Sequence, residues 1–598
     1  MVDTNFFSQI NGGGSTQLLG LSSGINTQEI IQALVAARRQ PAVQLENRIA
    51  ENDARLQAFG ELKGLVGDVK DSLNVMRGRV GFNVDSVFEQ KISFAQSRAS
   101  ATAAPGHTVS PADEILGTSV SNRAQPGTHV VEVRQIAKSN QLRTDAVTDK
   151  IATLTGQGFT TGTFTLNGET ISVDGDDSLL DLRDKINTST AGVSASIISA
   201  SPTEHFLVLN AEDTGAANAI DFAGGNAVSD SLGLTDGVGG VKNELQAAQD
   251  AIIRVNNLGT DIIRSSNTFD DVIDGLTIDI FKAEPDTEVV VEIENDLGAV
   301  KENLIGFVEA FNALKDFADD QRVEKPRTEG GPAEFGPLAF DTTLRSMIAR
   351  MNQLVGQSVP GQPDGFATLG QAGIDFTDNF RLEIDDDVLD NRLLTDLNSF
   401  RGLFEFGFQA SDSRVRLAGF NGSTSGLTDG SGNNPLPIYM NVGPTDASGN
   451  IISANFQTTA GAGAGGASDG SATVNGKLIK GLSGNAEGLD IFFDAQASDP
   501  AVNDVELTVT RGIADQMFFA LDRYLSQGGA GEILSNEQNI QQQTENFNRR
   551  ILDIEARVEL FRARQVQRFA AMEQAVLQAN SLQESLSQSF DSLSNSNK

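Results

Sequence analysis

The chain has 598 residues, enough for several separate cores, and its 80 acidic against 44 basic side chains give a formal charge of −36. That balance argues against nucleic acid or an anionic membrane as the main partner, because both require basic surface. Cysteine is absent, which excludes disulfides and thiolate metal sites, and no apolar run approaches the ~20 residues that span a bilayer. The excess acid belongs to the middle of the chain; residues 27–80 and 535–598 are each nearly balanced in charge, which suits ends that pack in a crowded assembly.

The first twenty residues lack a basic segment followed by an apolar run, so no Sec-type signal is expected, although some export routes leave no such mark. Gly20-Leu-Ser-Ser-Gly24 fits the G-x-S-x-G elbow of serine hydrolases. The elbow needs a buried strand before it, and Asn11-Gly-Gly-Gly-Ser-Thr16 is no such strand. The candidate bases His107, His129 and His205 stand in no recognisable triad setting, so Ser22 reads as part of a flexible entry to a helix. That helix starts at Thr27, with Asn26 as cap and Glu29 completing a capping-box arrangement.

After Pro41 the apolar residues Leu45, Ile49, Leu56, Phe59, Leu62, Val66, Val69, Leu73 and Met76 recur at steps of three, four and seven, with polar Asn52 filling the gap. Gly60, Gly64 and Gly67 weaken this helix at roughly 1 kcal/mol each relative to alanine. The far end carries a matching stripe: Phe547, Ile551, Ile554, Val558 and Phe561, then Phe569, Met572, Val576, Ala579, Leu582, Leu586, Phe590 and Leu593. Each segment reaches on the order of 70–90 Å as a helix. A narrow stripe on so long a helix requires a partner, and the spacing predicts that the two ends pair as an antiparallel coiled coil, with intermolecular packing added in the working form.

Between the ends the period changes to two. Thr128–Ile136 reads as a strand, and 163–173 as a hairpin about Asn167-Gly168. A capped helix at Asp177–Asn187 and strands at Val193–Ile198 and Phe206–Asn210 complete a ββαββ unit inserted in a larger β domain, whose strands return at 252–263 and 276–294. Helices are predicted at Leu297–Asp319, 340–355, 386–405 and 513–526, with a strand at Val505–Thr510. Residues 418–485, rich in Gly, Ser, Asn and Thr, are either a linker or an irregular β domain.

The fold class expected is therefore multidomain α+β: a terminal antiparallel coiled-coil leg, a helical bundle-like region and β-rich head domains with one inserted ββαββ unit. The expected domains are 1–80 (N-terminal leg), 81–150 and 241–296 (two parts of one β-rich domain), 151–240 (the ββαββ insert), 297–409 (helical, next to the leg), 410–510 (Gly/Ser-rich insertion) and 511–598 (C-terminal leg). No catalytic residue, metal site or cofactor can be nominated. Gly461, Gly463 and Gly466 lack the strand and helix of a dinucleotide fingerprint, Gly476-Lys477 lacks the rest of a P-loop, and Asp174–Asp177 and Asp385–Asp387 lack the pattern of a calcium loop.

The stretch Gly20–Val35 followed by Pro41 resembles the N-terminal motif of the flagellar filament cap proteins, the hook-associated protein 2 family. That family usually has Asp where this chain has Asn26, and either residue can cap the helix. Further resemblance lies in Gly127–Val133 with Ile136-Ala137, Asp181–Asn187 with Gly192–Ser196, Ser266-Asn267-Thr268 with Gly275-Leu-Thr277, Phe311-Asn312, Gly336-Pro-Leu338 with Asp341, Gly373-Ile374 and Phe569–Glu573. It covers most of the chain in order, except for an extra insertion at about 410–485. The resemblance implies a non-enzymatic protein secreted through the flagellar export system and placed at the filament tip outside the cell, without membrane insertion. It implies a homo-oligomeric ring, with flagellin, hook-filament junction proteins, the export apparatus and a cytoplasmic export chaperone as partners. In that setting Gly20, Gly24, Asn26, Glu29 and Pro41 form the N-terminal motif, and the two stripes are the helix-pairing surface. The competing expectation is a secreted surface adhesin, or another extracellular filament component with a coiled-coil stalk.

Overall fold

The computed structural model describes residues 26–78, 85–324, 335–363, 365–421, 437–458, 470–526 and 531–595. The chain divides into two compact units, Met1–Phe82 with Asn303–Lys598 and Asn83–Glu302. The first helix, α1 (Thr27–Asn74), runs 48 residues without a break, about 72 Å. Asn26 caps it, accepting from the Glu29 N–H at 3.2 Å. The reciprocal arm of a capping box is replaced by a side-chain pair, in which the Asn26 amide donates to the Glu29 carboxylate at 2.9 Å. Pro41 lies inside α1 with its ring exposed. A proline in a helix interior costs ~3 kcal/mol, which packing must offset.

The unit Asn83–Glu302 contains, in chain order, β1 (Lys91–Ala99), α2 (Ala112–Ile115), β2 (Leu116–Val120), β3 (Gly127–Gln135), β4 (Ser139–Arg143), β5 (Gly162–Leu166), β6 (Glu169–Val173), α3 (Leu179–Asn187), β7 (Val193–Ser201), β8 (Glu204–Thr214), α4 (Ala227–Ser231), β9 (Glu244–Gln246), β10 (Ala251–Val255), β11 (Ile262–Arg264), β12 (Thr268–Ile273), β13 (Leu276–Ile280) and β14 (Thr287–Asn295). A five-stranded antiparallel sheet in the order β1-β14-β3-β10-β11 and a three-stranded sheet β12-β13-β2 share one core. Alternation fixes which side chains enter it: Val289, Val291 and Ile293 of β14 are buried with Val131 and Val133 of β3, while the charged neighbours Glu292 and Glu294 face out.

Residues 252–263, strand-like in the sequence, form parts of two strands with a reversal between them. Asn256 and Asn257 take left-handed φ values of 49° and 54°, a conformation asparagine tolerates better than most residues. The stretch 276–294 is likewise two strands, β13 and β14.

A second core in the same unit gathers β5, β6, α3, β7 and β8. The β5–β6 turn uses Asn167 (φ 48°) and Gly168 (φ 86°), the left-handed pair a two-residue hairpin of this twist demands. Ser178 and Asp181 form a full capping box on α3, which puts Leu179, Leu182 and Ile186 into the core. The sheet beside it has the order β7-β8-β4-β9. It therefore takes in β4 and β9, segments that the sequence placed outside 151–240.

In the other unit, α5 (Leu297–Arg322) and α6 (Thr342–Gly356) are followed by a small hairpin of β15 (Ile374–Phe376) and β16 (Leu382–Ile384). The predicted helix 386–405 is two helices, α7 (Asp386–Thr395) and α8 (Leu397–Phe404). The break is at Asp396, whose carboxylate accepts from the Ser399 N–H at 3.0 Å and caps a new helix. Strands β17 (Phe406–Ala410), β18 (Val415–Phe420), β19 (Ile438–Val442), β20 (Ala454–Gln457), β21 (Ala472–Asn475), β22 (Leu478–Gly481), β23 (Leu489–Phe493) and β24 (Val502–Arg511) form two four-stranded sheets, β17-β24-β19-β20 and β18-β23-β22-β21. Met440, Phe456, Ile491, Phe493 and Leu507 fill the core of this lobe. Of the two readings left open for 418–485, the described residues follow the β-lobe; Gly461, Gly463 and Gly466 lie outside them. Helices α9 (Ile513–Leu525) and α10 (Glu532–Asn595, 64 residues, about 96 Å) close the chain.

Candidate assembly surface

Two contacts fix how the terminal helices run. Arg39 of α1 donates to Glu555 of α10 at 2.7 Å, and the Asn52 amide donates to the Thr544 hydroxyl at 3.1 Å. Position rises along α1 as it falls along α10, so the two are antiparallel. Asn52 is buried, which explains a polar residue in the stripe: it meets its hydrogen-bond partner at one register and would lose it after a one-turn slip. Arg39 also binds Glu46 at 2.6 Å, and these bonds, Glu46 first and Glu555 second, hold its guanidinium above the ordinary arginine value. The pair is over one-third exposed, so it sets register more than stability.

The stripe residues divide by depth. Phe59, Leu62, Val66, Val69, Leu73 and Met76 are fully buried, whereas Leu45, Ile49 and Leu56 are half-buried. On α10, Val558 is buried and Phe547, Ile551, Ile554, Phe561, Phe569, Met572 and Val576 are half-buried. Leu577, Leu582, Leu586 and Phe590 are more than half exposed. Gly60, Gly64 and Gly67 have no atom within 4 Å of where a Cβ would stand, so no close approach requires glycine there. Gly20 and Gly24 of the N-terminal motif lie outside the described residues, as does Ser22; Asn26, Glu29 and Pro41 sit at the cap, first turn and interior of α1 as described above. The three histidines are held by hydrogen bonds with hairpin and loop side chains: His107 with Thr287 at 2.7 Å, His129 with Asn256 at 3.1 Å and His205 with Ser199 at 2.6 Å.

The end of α1 is anchored by a charge cluster. Asp515 of α9 is fully buried and accepts from Arg77 at 3.0 Å and from Arg511, four residues earlier, at 2.7 Å. Arg77 stacks over Phe518 (3.8 Å to the ring centre) and Phe519 (4.5 Å), which gives a desolvated guanidinium a compensating face. Burial pulls the Arg77 pKa below its ordinary value, and Asp515 opposes that pull. Arg511 lies over Phe420, which stacks on Phe406 at 4.5 Å, so the β-lobe is tied to the same point. Lys70 adds an ion pair to Asp522. Gly78 takes φ +79°, and a Cβ there would come within 2.8 Å of the Glu405 carboxyl carbon. Sequence reasoning missed this cluster. Its signal was a lone carboxylate among Ile513, Ala514 and Met517 on an otherwise apolar face, with Arg511 at the i, i+4 spacing.

The sequence profile described as the flagellar hook-associated protein 2 C-terminus matches residues 248–581, more than half of the chain. The chain belongs to the flagellar hook-associated protein 2 family. The N-terminal profile of that family matches residues 23–140, and a profile described as the flagellin hook IN motif matches 163–213, the span of β5 to β8. The A-type flagellar hook-associated protein 2 of Pseudomonas aeruginosa is 26% identical over 418 residues, covering 65% of this chain and 80% of that protein. The hook-associated protein 2 of Escherichia coli (strain K12) is 26% identical over 402 residues, covering 65% and 80%. That of Salmonella typhimurium is 32% identical over 224 residues, covering 36% and 46%. Among solved structures, the D1-D2-D3 domains of the flagellar cap protein from Escherichia coli match with a TM-score of 0.44 and 23% identity, over 58% of this chain and 89% of that one. Among the described residues, no helix is long and apolar enough to cross a membrane.

Proposed function

We infer that this chain is the cap at the distal tip of a bacterial flagellar filament, where it promotes flagellin polymerisation and prevents loss of unpolymerised flagellin. Family membership over residues 248–581 is the observation that carries this reading. The protein acts as a homo-oligomer seated on the filament end, structural rather than catalytic. We read 1–80 with 511–598 as a coiled-coil leg, 297–409 as the helical domain beside it, 81–150 with 241–296 as one β-rich head domain, 151–240 as its ββαββ insert, with β4 and β9 of the flanking segments joining the insert's sheet, and 410–510 as an added lobe. Export through the flagellar secretion channel, with a cytoplasmic chaperone and hook-filament junction proteins as further partners, belongs to the same proposal. No feature of the described residues favours a surface adhesin over the cap.

Deleting the gene is expected to leave short or absent filaments and to release flagellin into the medium, seen by electron microscopy and by immunoblot of the supernatant. Full-length filaments without leakage would refute the cap reading.

The stripes supply a mechanism. Each helix is marginal alone, and an apolar stripe that is only half-buried at Leu45, Ile49 and Leu56 leaves a leg that can shift as each flagellin arrives. Gly60, Gly64 and Gly67 keep α1 locally weak. Changing all three to alanine is expected to stabilise α1 by up to ~1 kcal/mol per site, since the added methyls meet open space, and to slow filament elongation. Thermal unfolding and filament-length distributions read the two effects. Elongation at the wild-type rate in a stabilised variant would separate helix weakness from function.

A further inference from the structure

A groove of about 410 Å³ runs along the seam between α1 and α10. Its apolar lining includes Ile554, Val558 and Phe561 at positions i, i+4 and i+7 of α10, and Pro41 of α1. Its walls carry Arg38 from α1 and Arg557 and Arg564 from α10. All three arginines are exposed. Their neighbours Arg39 and Arg562 are each paired with glutamates, but among the described residues Arg38, Arg557 and Arg564 make no ion pair. Arg38 instead lies over the Phe561 ring at 5.1 Å, and Arg557 donates to the Asp553 backbone carbonyl at 3.1 Å. In a chain of net charge −36, three arginines without carboxylates around one apolar strip are a local reversal of sign.

We propose that this groove docks an acidic amphipathic helix presented by flagellin at the filament end. The chemistry selects that occupant in two ways. Arg557 and Arg564 are seven residues apart on one helix, about 10.5 Å along its axis, which matches carboxylates two turns apart on a partner helix lying alongside. The strip between them takes the apolar face of the same helix, the helix-in-groove mode of recognition. A bare anion or a nucleic acid would use the arginines and leave the half-buried Ile554 and Phe561 without further cover. This rests on the filament-cap reading and adds to it the surface and the charge of the contact.

The test uses the full chain and purified monomeric flagellin from the same bacterium. Replacing Arg38, Arg557 and Arg564 together by glutamine is expected to weaken flagellin binding by roughly tenfold or more and to abolish its salt dependence, with the thermal midpoint unchanged. The triple lysine variant keeps the charge and should retain most of the affinity. Wild-type affinity in the glutamine variant, or no binding by the wild-type chain at low salt, would overturn the proposal. So would a loss of affinity that appears only together with a lowered thermal midpoint or with loss of self-association, because the arginines would then serve the leg or a second copy. Normal filaments in the gene-deletion strain would reject the cap reading instead, an outcome read independently of flagellin affinity.

Discussion

Replacing Asp515 with alanine is expected to cost ~3–5 kcal/mol, a large effect for one charged residue. The carboxylate is fully buried and is shared by Arg77 and Arg511, whose side chains are themselves about one-tenth exposed. Removing it takes a shared buried carboxylate from two guanidinium groups in a site walled by Phe420, Phe518 and Phe519. The conservative change Asp515→Asn keeps hydrogen-bond acceptance at one oxygen and loses the charge, so an intermediate loss is expected. Arg523→Ala supplies the comparison. Its ion pair with Glu532 is three-quarters exposed on the arginine side and should be worth no more than ~1 kcal/mol. Urea unfolding, read by amide exchange in α9 and at the end of α1, separates the cases. A loss under ~1 kcal/mol for Asp515→Ala would mean that the cluster does not anchor α1.

Ending the chain at Ser526, which removes α10, is expected to unfold the first half of α1 while leaving its last turns in place. Residues Phe59, Leu62, Val66, Val69 and Leu73 are fully buried, and Lys70 and Arg77 bind α9 directly, so those turns keep a partner. From Thr27 to about Ala58, α1 is held chiefly by apolar packing of its stripe against that of α10, with the Asn52–Thr544 and Arg39–Glu555 contacts setting the register. Arg55 also reaches Asp341 at 3.5 Å, a single long ion pair that cannot order the turns before it. This half also contains Pro41, whose cost of ~3 kcal/mol has nothing to offset it once α10 is gone. An isolated helix of this kind is poorly populated in water even where its residues favour helix.

Much of this architecture was legible because burial imposes a period. The step of three and four from Leu45 to Met76 and from Phe547 to Val576 marked two long helices with one apolar side each, and Asn167-Gly168 marked a hairpin by turn chemistry alone. What the apolar pattern left out were the breaks made by polar residues. Asp396 caps a second helix inside what the pattern joined into one, and Asn256 and Asn257 place a reversal inside a stretch that reads as strand-like. The β-lobe was ambiguous for a different reason. Its strands are four to six residues long apart from β24, and the Gly and Ser between them dilute alternation until it resembles a linker. The arginine groove could not be read at all from the sequence, because it needs the register that brings Arg38 to Phe561. Nor could the unequal depth of the stripe be seen, since Phe59 and Leu45 occupy equivalent positions in the pattern and differ only in how many helices cover them.

Amide hydrogen exchange on α1, compared between the full chain and the chain ended at Ser526, addresses the mutual dependence of the terminal helices most directly. The expected result is loss of protection across residues 27–58 with retention across 66–73. Unchanged protection over 27–58 in the shortened chain would show that α1 stands without its partner, and would contradict the paired leg on which the cap's proposed mechanism depends.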